Sequence, residues 1–267
     1  MTGRRIIRIG DNTTHGAAVP QRFPFDDAPG RAAARCAHPD SAVPLARYMF
    51  QQMRTNPLSA EGRRLAAANA VNPEVHVREW RQLPWYARLG GPPDTDRAAA
   101  TQKAAAYVMW AEQVAPGRSW DYTPILRKML RGQFNDGWQK HGRFDYFYDV
   151  WSNIHYGYVG AAVGFTPAEM LNGAGLAQAV DDFWKDKPRL HRPLHGPWPA
   201  TADDLPDYIS LKLGTDLFLE VGPHALTVEA LLQKMAAVPL PWGQGNHHAK
   251  EPHKCNRRLK RNQVCAG

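Results

Sequence analysis

Helix punctuation recurs along this 267-residue chain, and it constrains the fold more than any other feature. Thr123-Pro124 stands before an apolar and basic run that ends at Gly132. That is an N-cap hydroxyl, a proline at the first helical position where its missing N–H costs nothing, and a C′ glycine. Thr166-Pro-Ala-Glu169 reads as a capping box opening a helix toward Trp184. Thr227 caps a helix from Val228 to Val238 that halts before Pro239, and the alanine-rich stretch from Thr101 to Val114 stops at Pro116-Gly117. Ser41 to Arg54 and Ser59 to Ala70 predict two shorter helices, and Leu205 to Glu220 carries Ile209, Leu213 and Leu217 at helical spacing. Strand signals are sparse after residue 40. The expected fold is therefore mainly α, α+β overall. It comprises one helical domain over residues 41–242, a short β-rich head over 1–40 and a basic tail over 243–267. Two Pro/Gly/aromatic stretches, 83–96 and 187–199, read as loops, the second long enough to suggest a functional role.

The length suits one sizeable core plus a small appendage. No apolar run approaches the roughly 18 residues needed to span a bilayer, and Met1-Thr-Gly-Arg-Arg5 lacks the apolar region of a secretory leader. Any export is expected to proceed without a cleaved leader. The net charge of +8 is unevenly placed: residues 243–267 hold six Lys/Arg and one acid, which is +5 and leaves +3 for residues 1–242. The body is thus only mildly basic, which argues weakly for nucleic-acid binding, and the tail reads as a solvated, disordered end. Three cysteines, two of them in the tail, do not form a disulfide framework. His247, His248, His253 and Cys255 make a compact tract of transition-metal ligand types, at a spacing that matches no zinc finger.

Asp149, Asn153, His155 and Tyr156 lie within eight residues and carry the densest chemistry. Metal-free RNA cleavage needs a base, an acid, and cations or amides for the phosphorane. His155 suits either proton-transfer role, because an unperturbed imidazole titrates at about pH 6.5. Asp149 is a candidate to orient it, and Lys128, Arg143 and His141 are candidate phosphate contacts. A glycosidase needs only two carboxylates, about 5–5.5 Å apart for retention or about 6.5–9.5 Å for inversion. Asp121 and Asp149 form such a pair, with Glu112 and Glu169 as alternates, and Trp120 and Tyr122 offer stacking faces. The same segment also reads as packing: Gly157 and the glycines after it permit close approach to a buried Trp, and Trp side chains suit a core. Neither chemistry requires a cofactor.

Four ordered segments resemble the bacterial polymorphic toxin type 44 domain, over about residues 105–220. Met109 to Tyr122 is similar to the family's aromatic helix followed by Gly-Gly-x-Trp-Asp-Tyr-Lys, and Asp149 to Gly164 to its central Asp-Phe-Gly-Asn-Phe-x-Tyr-Gly-x-x-Gly-Ala-Ala-x-Gly. Gly173 to Gln178 and Pro206 to Gly214 follow in the family's order. Thr123 stands where many members have Lys, and Ser152 where many have Gly. If that Lys is catalytic, this chain must use another cation, such as Lys128 or Arg127 a turn further along, or be impaired. The resemblance implies an antibacterial toxin with a cognate immunity protein and suggests a ribonuclease. The alternatives are a peptidoglycan-cleaving glycoside hydrolase and a non-catalytic spike-associated protein.

At the other end, Arg8-Ile-Gly-Asp-Asn-Thr-Thr-His15-Gly16 and Gly30-Arg-Ala-Ala-Ala-Arg-Cys36 resemble, in part, the PAAR module at the tip of type VI secretion spikes. That resemblance implies delivery on a type VI spike protein, with action in the recipient's cytoplasm or periplasm. It also implies zinc held by His15, Cys36 and His38, one ligand short of the family's four.

Overall fold

The computed structural model describes residues 36–89, 91–92, 94–130, 137–184, 197–244 and 247–255. The chain divides into two compact units, Met1–Cys36 and Ala37–Gly267. His15, the motifs around it and the loop segment 185–196 lie outside the described residues. Everything below concerns the second unit.

This unit is mainly helical with a small sheet, as expected. In chain order it holds α1 (Ala42–Thr55), α2 (Ala60–Asn69), α3 (Pro73–Gln82), α4 (Thr95–Val114), α5 (Thr123–Met129), β1 (Trp138–His141), β2 (Phe144–Phe147), α6 (Asp149–Ala162), α7 (Pro167–Trp184), α8 (Leu205–Ala225), α9 (Val228–Ala237), β3 (Gly243–Gln244), β4 (His247–His248) and β5 (Lys250–Pro252). The caps act as the sequence predicts at α7 and α9. The Thr166 amide donates to Glu169 Oε2 (2.7 Å), the Glu169 amide donates back to Thr166 Oγ1 (3.2 Å), and the Ala230 amide donates to Thr227 Oγ1 (3.0 Å). Thr123 behaves differently. It is the first residue of α5 rather than its cap, and its hydroxyl meets Ser152 Oγ at 3.1 Å.

Several elements escaped the sequence pattern, among them α3, the first hairpin and α6. The antiparallel β1–β2 hairpin has four-residue strands joined at Gly142-Arg143, with Gly142 at φ 58° as a tight turn demands. α6, the central motif, is buried on nearly every face, so it shows no single apolar stripe. Residues beyond 242 do not run free. β5 pairs antiparallel with β2 to complete a three-stranded sheet, and Trp242 is fully buried. Lys250, counted above among solvated tail charges, is 2% exposed. Its ammonium donates to the last carbonyls of α9, at Ala236 (2.8 Å) and Val238 (2.6 Å), and sits 4.3 Å from the Phe144 ring centroid. Those carbonyls have no helical partner of their own, so the buried charge satisfies them and the negative end of the helix together.

The frame is set where α6 meets α8. A Cβ added at Gly157 would stand 2.1 Å from the Leu211 carbonyl oxygen, and one at Gly214 would stand 2.1 Å from that of Ile154. The two backbones are therefore in direct contact. The helices run parallel, since Asn153 meets Asp207 and, one turn on, Gly157 meets Leu211. Gly160 receives the Met170 side chain in the same way and docks α7 alongside. Gly157→Ala and Gly214→Ala should each destabilise the fold by about 2–3 kcal/mol, because a backbone carbonyl cannot move aside as a side-chain tip can. Urea midpoints would measure this. A loss below about 0.5 kcal/mol would mean the helices separate without penalty.

Candidate active site

Parallel packing brings the N-termini of α6 and α8 to the same place, and acidic side chains gather there. Asp149 opens α6, and Asp203, Asp204 and Asp207 lie on the approach to α8 and in its first turn. The Asn153 amide donates to Asp207 Oδ1 at 2.7 Å and bridges the two helices. Burial pushes the Asp207 carboxyl well above the usual carboxylate range, and Asp149, Asp203 and Asp204 push it further. Burial likewise lifts Asp203 to about 7, with Asp204 adding to it. Burial also raises Asp149, but here the Arg127 guanidinium and hydrogen bonds from the Ser152 and Thr123 hydroxyls pull the other way. The cluster thus holds acids of unequal strength and exposure: Asp149 and Asp207 are half-buried, Asp203 is buried and Asp204 is exposed.

Thr123 and Ser152 both touch Asp149, and they touch each other. The two positions that depart from the type 44 pattern are one contact in space. Arg127, one turn into α5, supplies positive charge to Asp149 and donates through Nε to the Tyr148 hydroxyl. Lys128 is exposed on the same helix.

The other sequence candidates fall in three places. His155 is 1% exposed and faces the core. Asn56 Nδ2 donates to its Nε2 (2.9 Å) and to the Tyr122 hydroxyl (2.8 Å), which in turn donates to Gln52 Oε1 (2.9 Å). Because the amide only donates, Nε2 is the unprotonated ring nitrogen, and burial holds the imidazole neutral with its pKa down at about 3. Tyr122 and Trp120 are buried, and Tyr156 stacks edge-on to Trp110 at 5.0 Å. Asp121 is engaged by its own loop, accepting from the Gly117 (2.8 Å) and Thr123 (3.3 Å) amides. Glu169 is committed to its cap and to Lys103 at 2.7 Å, and Glu112 is exposed on α4.

His141 and Arg143 belong to the hairpin. His141 faces Asp40 at 3.5 Å, beside the 2.5 Å pair of Lys140 with Asp40, and the Arg143 carbonyl accepts from the His253 amide. Cys36 is half-buried at the end of the first unit, and His38 lies in the second. Asp203, Asp204 and Asp207 were not singled out from sequence. Their signal was present in the fourth motif, which begins at Pro206-Asp207, but nothing in the linear order ties it to Asp149.

The family model for bacterial toxin 44 matches residues 109–220, which run from the end of α4 into α8 and contain this whole cluster. The chain therefore carries a bacterial toxin domain. Among curated proteins and among solved structures, nothing matches it. Among the described residues, no helix is long and apolar enough to cross a membrane.

The acidic cluster sets a pH signature. The folded Asp203 carboxyl keeps its proton to about 7, whereas an unfolded one releases it near 3.8. Between those values the folded chain binds more protons, so this group's contribution to stability falls as pH rises. His155 acts oppositely below about pH 6.5, where the unfolded imidazole takes up a proton that the buried one refuses. Asp203→Asn removes the first effect alone. Its stability relative to the parent chain should climb as pH rises from about 4 to about 7. Paired urea melts would show this, and a pH-independent difference would mean the carboxyl titrates normally.

Proposed function

We propose that this toxin hydrolyses glycosidic bonds of the bacterial cell wall, with Asp207 as general acid and Asp149 as base or nucleophile. The observation that carries this reading is the Asp149–Asn153–Asp207 constellation: two carboxylates on adjoining helix ends in unequal electrostatic surroundings. Unequal carboxylates are what glycoside cleavage requires. Asp207 keeps its proton because burial and three neighbouring aspartates oppose its ionisation, and it donates that proton to the departing glycosidic oxygen. Arg127 favours the anionic form of Asp149, which then attacks the anomeric carbon or draws a proton from water. Asn153 holds Asp207 through one oxygen and leaves the other for the proton.

The ribonuclease reading finds less support here. The imidazole of the central motif, the group best suited to move protons in that reaction, is turned into the core as a neutral strut. A cell-wall target places the action in the recipient's periplasm. Delivery on a type VI spike rests on the N-terminal motif alone. A producer of such a toxin is protected by a cognate immunity protein, and the surface over the α6 and α8 N-termini is the natural one to occlude.

The test is expression of the full chain with and without a periplasmic leader, together with assay of the purified protein on peptidoglycan. Lysis from the periplasm alone and release of reducing ends are expected. Asp149→Asn and Asp207→Asn should each lower the rate by about 10²–10⁴-fold with the fold retained by circular dichroism. Killing from the cytoplasm with loss of total RNA, undiminished in both variants, would overturn the assignment.

A further inference from the structure

A second cluster lies apart from the acidic one, where the first described residues of the helical unit meet the end of β5. His38 precedes α1, and His253 and Cys255 follow Pro252. His38 Nδ1 stands 2.8 Å from His253 Nε2, with the two rings edge to face at 5.0 Å. A ring nitrogen of His253 and the Cys255 sulfur are within 4.8 Å of one another. Behind them, the other nitrogen of His253 is 2.8 Å from Asp145 Oδ1 on β2, and the His253 and Asp145 side chains are only 4% and 1% exposed. The His253 amide is held as well, donating to the Arg143 carbonyl at 2.9 Å.

We infer that His38, His253 and Cys255 form a site for a zinc-class divalent cation. The donor set is two imidazoles and a thiolate, which suits zinc and cobalt rather than magnesium or calcium. Asp145 fixes the tautomer: its carboxylate accepts the Nδ1 proton of His253, so Nε2 presents a lone pair toward His38. A buried carboxylate behind a histidine is the arrangement that orients ring ligands in metal sites. The spacing is close to that of a shared ion. Two nitrogens on one tetrahedral zinc lie roughly 3.3 Å apart, so the rings need part by only about half an ångström. On binding, Cys255 gives its proton to solvent and both histidines bind neutral.

Both halves of this site were marked in the sequence as metal-ligand types, but in separate groups. His38 was grouped with His15, and His253 and Cys255 with His247 and His248. His248 instead lies 3.5 Å from Glu251. With the ion in place, the site would join the residues leading into α1 to those leaving β5, across 215 positions of chain.

The test uses the purified, tag-free full chain, stripped of metal and titrated with cobalt(II). Tetrahedral visible bands and a near-ultraviolet thiolate charge-transfer band are expected, both abolished by stoichiometric zinc. Cys255→Ser should remove the charge-transfer band, and His38→Ala and His253→Ala should each weaken cobalt binding at least tenfold. Asp145→Asn should keep the charge-transfer band while weakening affinity about 10–100-fold. Absence of a thiolate band in the parent protein overturns the inference without recourse to any variant. So does a band that persists in Cys255→Ser, or affinity unchanged in both histidine variants. In either case the His38–His253 contact is a plain hydrogen bond relayed to Asp145.

Discussion

Direct contact between the backbones of α6 and α8 is the constraint on which the rest of this domain depends. Gly157 and Gly214 leave no room for a side chain, so the helices approach until each glycine meets the other helix's carbonyls. Close packing along the whole shared length fixes the relative height of the two helices as well as their separation. That height decides that Asn153 reaches Asp207 and that Asp149 stands near the acids of α8. Burying several carboxylates together is unfavourable, and two helix N-termini aimed at one spot offset part of that cost. The remaining cost appears as raised pKa values.

Around this contact the other elements act as braces with distinct jobs. Asn56, in the turn after α1, gives its amide hydrogens to His155 and Tyr122, so a short polar network locks α6 to α1 inside the core. α5 presents Thr123 and Arg127 to Asp149. Where the type 44 pattern has Lys and Gly, this chain has Thr and Ser in mutual contact, and Arg127 brings positive charge from one turn further along.

Much of the architecture was legible in the linear sequence. Local signals act over three or four residues and need no tertiary context, which is why the Thr166–Glu169 box and the Thr227 cap can be read directly. The mainly helical class follows from their number. α6 was illegible as a helix because its surroundings are apolar on almost every side and its polar residues are used internally. The short hairpin was illegible because four residues cannot establish an alternation. The chain beyond 242 looked solvated because charge was judged by composition, whereas Lys250 spends its charge on the carbonyls at the end of α9.

For the site, the sequence by itself pointed to the central motif with Asp149 and Asn153, while Asp207 appeared only inside a later segment to which no chemistry was assigned. It also determined that a toxin domain occupies the middle of the chain. Only the tertiary structure decided which of these residues share a cluster. His155 and Asn153 are two positions apart, yet α-helical geometry turns one into the core and the other toward α8. Asp149 and Asp207 are far apart in the chain, yet parallel packing makes them neighbours. Sequence adjacency fixes covalent order alone. The direction a side chain faces, and the proton it keeps, depend on packing and burial that exist only once the helices have met.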